Sequence, residues 1–159
     1  MFIDIEKIND REEYKLGSIT EFDGKKYMFV KVPASTSLVA GNLVAIDVNY
    51  NVSVVSSATE YVDGVVVADV STGSGEVKYV WVCIDGMGVD VKVVKGISAG
   101  DLLVGGAVSG ISMAVKFSAG SASVGEYYPR LMALEASSAS VDGGLIRCKF
   151  VDTTFRITS

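Results

Sequence analysis

The chain has 159 residues, of which 49% are hydrophobic and none is histidine, and its formal net charge is −5 at pH 7. This apolar content is sufficient for a folded core, and the length is typical of one domain. The missing histidine excludes Ser-His-Asp and Cys-His catalysis and the common histidine-ligated zinc and iron sites. The negative charge disfavours nucleic-acid binding, because phosphate groups would be repelled.

Residues 1–15 precede the first clear strand pattern and mix apolar with charged side chains. One interpretation is an edge strand followed by a solvated turn of the same domain. The other is an arm that contacts a neighbouring subunit or a partner surface through its large apolar side chains. The candidate contact residues are Phe2, Ile3, Ile5 and Ile8. We predict that residues 16–159 form a single β domain.

Apolar and polar residues alternate along most of the chain, which is typical of β-strands with one buried face. Val89–Val93 and Ile146–Phe150 show this alternation clearly. Residues 65–68 are apolar throughout, so we expect that strand to be covered on both faces. The spacing predicts an all-β fold, either an antiparallel β-sandwich or a partly closed barrel with about ten to twelve short strands.

Turn residues separate these strands. Asp23-Gly24 lies between two apolar runs and predicts a hairpin, and Asn49–Asn51 predicts another turn. We interpret Asp63-Gly64, Asp85-Gly86 and Gly143-Gly144 as further chain reversals.

A five-residue turn motif occurs twice, as Ala40–Val44 and as Ala99–Leu103. In each copy a glycine and then Asn or Asp precede two aliphatic residues. Glycine adopts positive φ without strain, and the polar side chain can bond nearby backbone N–H groups. The two copies indicate either two related β units folded together or a chance similarity of short turns.

No residue pattern indicates a reaction or a cofactor. Cys83 and Cys148 lie in strand-like segments, and we expect both to be buried and reduced. Asp101 and Asp142 adjoin glycines without EF-hand spacing, so we expect no metal site. The glycines at 73–75 do not complete a phosphate-binding loop. We therefore predict no cofactor and no enzymatic activity.

Two features concern localisation and partner contact. The first residues lack a basic leader and a long apolar run, so we expect synthesis in the cytoplasm and no membrane insertion. Tyr127-Tyr128-Pro129-Arg130 predicts an extended strand entry with one ring inward and one outward, and the outward ring is a candidate for partner contact.

Several of these segments resemble the capsid decoration (cement) proteins of tailed bacteriophages, over residues 16–151. The segments that carry the resemblance are Leu16–Ser18, Asp23–Lys31, Leu38–Val44, Gly64–Ala68, Tyr79–Val82, Val89–Val94, Ile97–Leu102, Leu131–Glu135 and Gly144–Phe150. The resemblance implies a non-enzymatic virion protein on the capsid exterior, made in the host cytoplasm. It also implies a homotrimer whose partner is the major capsid protein.

Three other functions stay open at this point. One is a phage head-fibre or tail-associated structural β module. Another is a glycan-binding β-sandwich, and the third is an enzyme that uses a carboxylate pair. A cement protein should bind the capsid lattice, whereas a glycan-binding protein should bind an oligosaccharide column.

Overall fold

The computed structural model describes residues 3–158, and in that range it contains fourteen β-strands, a single 3-10 turn and no α-helix. The strands are β1 (Ile19–Phe22), β2 (Lys25–Val32), β3 (Ser37–Leu38), β4 (Leu43–Ile46), β5 (Val52–Val54), β6 (Gly64–Val66), β7 (Val70–Ser71), β8 (Lys78–Val93), β9 (Leu102–Val108), β10 (Ile111–Lys116), β11 (Gly125–Tyr127), β12 (Leu131–Ala133), β13 (Gly144–Phe150) and β14 (Phe155–Ile157). The all-β prediction is confirmed. More strands are present than predicted because β3 and β7, with two residues each, are too short to show an alternating pattern.

The C-terminal half of the fold is a closed five-stranded barrel. Its strands follow the order β8-β13-β12-β9-β10, and all four of these neighbouring pairs are antiparallel. The barrel closes where β10 pairs in parallel with β8, at Ala114 and Val93. Closure leaves no unpaired edge in this part of the sheet.

The N-terminal half repeats the same arrangement. Its strands follow the order β2-β8-β6-β4-β5, and neighbouring strands are again antiparallel. A parallel bridge between Lys31 and Asn51 returns β5 to β2, and the Lys31 N–H donates to the Tyr50 carbonyl at 2.9 Å. The molecule is therefore two barrels of equal strand order that share β8, a strand of 16 residues.

The predicted hairpin at Asp23-Gly24 is confirmed by the antiparallel pairing of β1 with β2. Both turn residues have positive φ, 49° and 72°, as a two-residue type I′ turn requires. The turn predicted at Asn49–Asn51 is also confirmed, since β4 and β5 are antiparallel.

The reversal predicted at Asp85-Gly86 is wrong, because β8 runs straight through these residues. Gly86 and Gly88 have φ values of 116° and 88° and mark the place where β8 leaves the first barrel for the second. The register with β2 also shifts here: Lys26 pairs with Asp85 and Tyr27 with Cys83, so Ile84 is an extra residue of β8, as at a β-bulge. An Asp-Gly pair indicates a backbone position with positive φ. Because a β-bulge requires positive φ as often as a turn does, the pair does not distinguish the two.

Two hydrophobic clusters fill the barrels. The smaller cluster lies inside the first barrel and consists of Val30, Val32, Leu38, Val44, Val52, Val66, Val70, Val80 and Val82. The larger cluster fills the second barrel and extends over the outer face of the first, through residues such as Phe29, Val65 and Trp81. Successive residues of β6 thus enter different clusters, and the prediction that this strand is covered on both faces is confirmed.

Candidate contact surfaces

The two copies of the turn motif have the same internal geometry. Gly41 and Gly100 both have a φ of 90°. In each copy the side chain of the next residue, Asn42 or Asp101, accepts a hydrogen bond from the backbone N–H three residues earlier, at 2.8 Å and 2.9 Å respectively. Both polar side chains therefore stabilise their turn through a hydrogen bond to its own backbone, as the sequence predicted.

The two turns also make the same bonds to the rest of their barrels. The glycine N–H groups donate to the carbonyls of Val66 and Ala133, at 2.8 Å in both cases. The N–H groups of these two residues return bonds to the carbonyls of Asn42 and Asp101, at 3.0 Å and 2.9 Å. The repeat is thus structural, and each copy begins the equivalent strand of its barrel.

The surroundings of the two glycines differ. Gly41 is buried, its carbonyl accepts the Lys92 N–H at 3.0 Å, and a Cβ placed on it would lie 2.5 Å from a methyl carbon of Leu145. The first turn is therefore docked on the second barrel. Gly100 is exposed, and in the described part of the chain no heavy atom outside its immediate neighbours lies within 4 Å of the equivalent position.

Residues 3–15 of the N-terminal segment pack along the first barrel without forming a strand of their own. Asn9 and Tyr79 exchange two backbone hydrogen bonds, of 2.9 Å and 2.8 Å. The Tyr14 ring lies 5.2 Å from the Phe29 ring and 5.3 Å from the Trp81 ring, centroid to centroid. The segment thus covers part of the aromatic core.

The structure separates the predicted contact residues of this segment. Ile3 and Ile5 are half-buried and pack against the larger core cluster, whereas Ile8 is 36% exposed. Phe2 lies outside the described residues. A partner-contact role for these four residues stays a prediction, as does the division into residues 1–15 and 16–159.

A groove beside Arg130 was not predicted as a site. The Arg130 guanidinium lies 5.0 Å from the Tyr61 ring centroid and 5.9 Å from that of Phe150. It donates to the carbonyls of Val62 and Val151 at 3.4 Å and to the Tyr61 hydroxyl. No carboxylate of residues 3–158 lies within 4.0 Å of it. The groove has a volume of about 520 Å³ and is also lined by Ile19 and Ile84 among other side chains.

The adjacent tyrosines before Arg130 are the signal that could have indicated this groove. Tyr127 is buried and packs against Phe117, at a ring distance of 5.3 Å. Tyr128 is half-buried and contacts the Tyr61 ring at 5.5 Å. The expected inward and outward rings are therefore present, and the outward ring belongs to the wall of aromatic residues around Arg130.

Both cysteines are buried and form no disulfide. Burial raises the pKa of the Cys83 thiol to about 11, with smaller contributions from neighbouring groups. Burial also raises the pKa of the Cys148 thiol to about 12. Both thiols are protonated at neutral pH, so they are poor nucleophiles and poor metal ligands.

These raised pKa values predict a loss of stability at alkaline pH. Unfolded thiols ionise near pH 8.5, whereas the folded thiols keep their protons to about pH 11. Their contribution to stability is therefore fully present below about pH 8 and falls as the pH rises from there toward 11. Urea unfolding at about pH 8 and about pH 10 should show a steeper loss for the wild type than for Cys83→Ala/Cys148→Ala. Equal losses of stability in the wild type and the double variant would contradict this prediction.

The other described residues offer few clusters of ionisable or metal-ligating side chains. Within residues 3–158 no three Cys, Asp or Glu side chains are grouped closely enough to hold a metal ion. Lys116 forms an ion pair with Asp101 at 2.8 Å. No helix among these residues has the length and apolarity to span a bilayer.

No protein-family model matches this chain, and no curated protein matches it significantly in sequence. The fold itself defines the class, an all-β protein of two fused five-stranded barrels with an internal structural repeat.

Proposed function

We propose that this chain is a non-enzymatic capsid decoration protein of a tailed bacteriophage. It binds the outer surface of the assembled head and stabilises the contacts between neighbouring capsomers. One observation supports this most directly: the segments that carry the resemblance lie in both barrels and in both repeated turns. They include most of β2, both repeated turns, β6, parts of the two halves of β8, β12 and β13.

The shared strand suits a protein that connects two neighbours. A strand of 16 residues extends over about 50 Å at 3.3 Å per residue. The two barrels cannot rotate about each other freely, because the larger hydrophobic cluster is continuous from one to the other. Such a body transmits force between contacts at its two ends, as a cement protein must.

The proposal includes the partner and the location. The partner is the major capsid protein, the assembled form is a homotrimer, and the site of action is the capsid exterior after synthesis in the host cytoplasm. Large apolar side chains are available for these contacts, since Val48, Phe22 and Met87 are all more than half exposed.

Binding to heads tests the proposal. Heads of the phage that encodes the chain, purified without this protein, should bind it until a fixed ratio to the major capsid protein is reached. Decorated heads should also resist heat disruption better than undecorated heads. Unassembled capsid subunits serve as the control, because a cement protein recognises the lattice. Failure to co-sediment with the heads would contradict the proposal.

Glycan binding is the second candidate function, and the groove at Arg130 favours it. An exposed aromatic ring at Tyr61 beside a guanidinium is a suitable surface for a sugar ring and its hydroxyl groups. The test is binding to an oligosaccharide array. If Tyr61→Ala loses this binding but still binds heads, the protein would bind glycans in addition to decorating capsids.

A further inference from the structure

The chain contains four Asp-Gly pairs, which begin at Asp23, Asp63, Asp85 and Asp142. At such a pair the backbone nitrogen of the glycine can attack the side-chain carboxyl carbon of the aspartate, because glycine has no Cβ to hinder the approach. The attack needs the two atoms about 3–3.5 Å apart in a suitable orientation. Pairs of identical sequence can therefore differ in reactivity when the fold holds them differently.

Among the pairs in residues 3–158, only Asp85 has its carboxyl group bonded to the glycine that follows it. The Gly86 N–H donates to Asp85 Oδ1 at 2.9 Å. The carboxyl carbon is bonded to this oxygen, so it lies beside the nitrogen that would attack it. Asp85 is exposed, and water can reach the carboxyl group.

The backbone around Gly86 keeps this arrangement in place. Gly86 has a φ of 116° and lies at the β-bulge of β8. A Cβ placed on it would lie 2.5 Å from the Gly24 carbonyl oxygen and 2.8 Å from Lys25 Cα. Because the glycine is packed so closely against the β1–β2 hairpin, its nitrogen is preorganised beside the carboxyl group.

The carboxyl groups of the other three pairs have different partners. Asp63 accepts the Ile46 N–H at 2.8 Å. Asp142 accepts the Lys95 N–H, also at 2.8 Å. Asp23 forms an ion pair of 3.6 Å with a lysine of β2. In none of the three, within the described residues, does the glycine N–H donate to the preceding carboxyl group, so we expect slower attack there.

We propose that Asp85-Gly86 is a site of spontaneous isoaspartate formation through a cyclic succinimide. The protonated carboxyl group reacts first. A bond forms between the Gly86 nitrogen and Asp85 Cγ, the bond from Cγ to the hydroxyl oxygen breaks, and the hydroxyl leaves with the proton of the nitrogen as water.

A water molecule then opens the ring. Cleavage between the nitrogen and the backbone carbonyl carbon of Asp85 gives isoaspartate, whereas cleavage between the nitrogen and Cγ restores aspartate. The reaction involves no other reactant and no change of oxidation state. The inference goes beyond the proposed function and does not depend on it.

The product suits this position in the fold. Isoaspartate adds a carbon atom to the backbone of β8. This strand already carries Ile84 as an extra residue at the bulge, where its register with β2 is interrupted. The strand pairs on either side can therefore keep their register.

Peptide mapping after long incubation in mildly acidic buffer tests the site. In the folded protein, isoaspartate at residue 85 should accumulate about tenfold faster than at Asp23, Asp63 or Asp142. Incubation in urea is the control, because unfolding removes the geometry and the four pairs should then react at similar rates. Equal rates in the folded protein would overturn the inference, as would a preference for residue 85 that persists in urea.

The variant Asp85→Glu provides an independent test. Glutamate keeps the charge, but its longer side chain moves the carboxyl carbon away from the position that the nitrogen faces. Total isoaspartate, measured by enzymatic methylation, should fall by about tenfold, while the melting temperature changes little because the residue is exposed. Asp23→Glu is the matched control and should leave the amount unchanged. Unchanged isoaspartate in Asp85→Glu would contradict the inference, because the product would then arise at another pair.

Discussion

Replacing Gly41 by alanine is expected to destabilise the protein by about 2–5 kcal/mol. Two costs combine in this variant. An L-residue at a φ of 90° is strained by about 1–2 kcal/mol. The new Cβ would also lie 2.5 Å from Leu145 Cδ2 and 2.7 Å from the Lys92 nitrogen, so the docked barrels must separate locally. Overpacking of this kind costs about 1–3 kcal/mol. Urea unfolding measures the sum.

Gly100→Ala is the matched control for this experiment. It has the same φ of 90° in the same motif, but no heavy atom in the described part of the chain lies close to the added methyl group. We expect a loss of about 1–2 kcal/mol, from backbone strain alone. The difference between the two variants measures how tightly the first turn is docked on the second barrel. Equal losses would show that the docking contributes nothing to stability.

Replacing Tyr14 by alanine is expected to cost about 2–3 kcal/mol. The ring makes two close aromatic contacts, with Phe29 and Trp81, and each such pair contributes about 0.5–1.5 kcal/mol beyond the buried area. Its removal also uncovers part of the aromatic core. Thermal unfolding followed by circular dichroism would measure the loss as a lower melting temperature.

Ile8→Ala is the control in the same segment. Because Ile8 is exposed, the change should alter the free energy of unfolding by less than about 0.5 kcal/mol. A fall in self-association or head binding in this variant would support the arm interpretation of residues 1–15. If Tyr14→Ala left the stability unchanged, the segment would not belong to the core. That result would favour the interpretation of residues 1–15 as an arm over their interpretation as an edge segment.

The strand content and most of the turns follow from local pattern. Alternation in Ile146–Phe150 requires one buried face, and the apolar run at residues 65–68 requires two. Asp23-Gly24 forms a type I′ turn because both residues accept positive φ. These are properties of a few consecutive residues, so they can be predicted without knowing what lies across the sheet.

The contact surfaces depend on residues that are distant in the chain. Arg130 meets Tyr61 only because the two barrels bring residues 69 positions apart together. Neither residue is distinguished by its neighbours in sequence, apart from the tyrosines that precede Arg130. The tyrosines could mark a contact residue, but the groove itself could not be predicted from local pattern, because Tyr61 and Arg130 lie 69 positions apart in the chain.

By itself, the sequence determined an all-β chain with a repeated glycine turn, two cysteines in apolar segments and no histidine-based chemistry. Only the tertiary structure decided that Asp85-Gly86 continues a strand, and that β8 is shared by two barrels. It also decided that Gly41 is buried while Gly100 is exposed. The physical reason is that positive φ is a local property of a residue, whereas the partner strand and the burial of a turn depend on how distant strands pair.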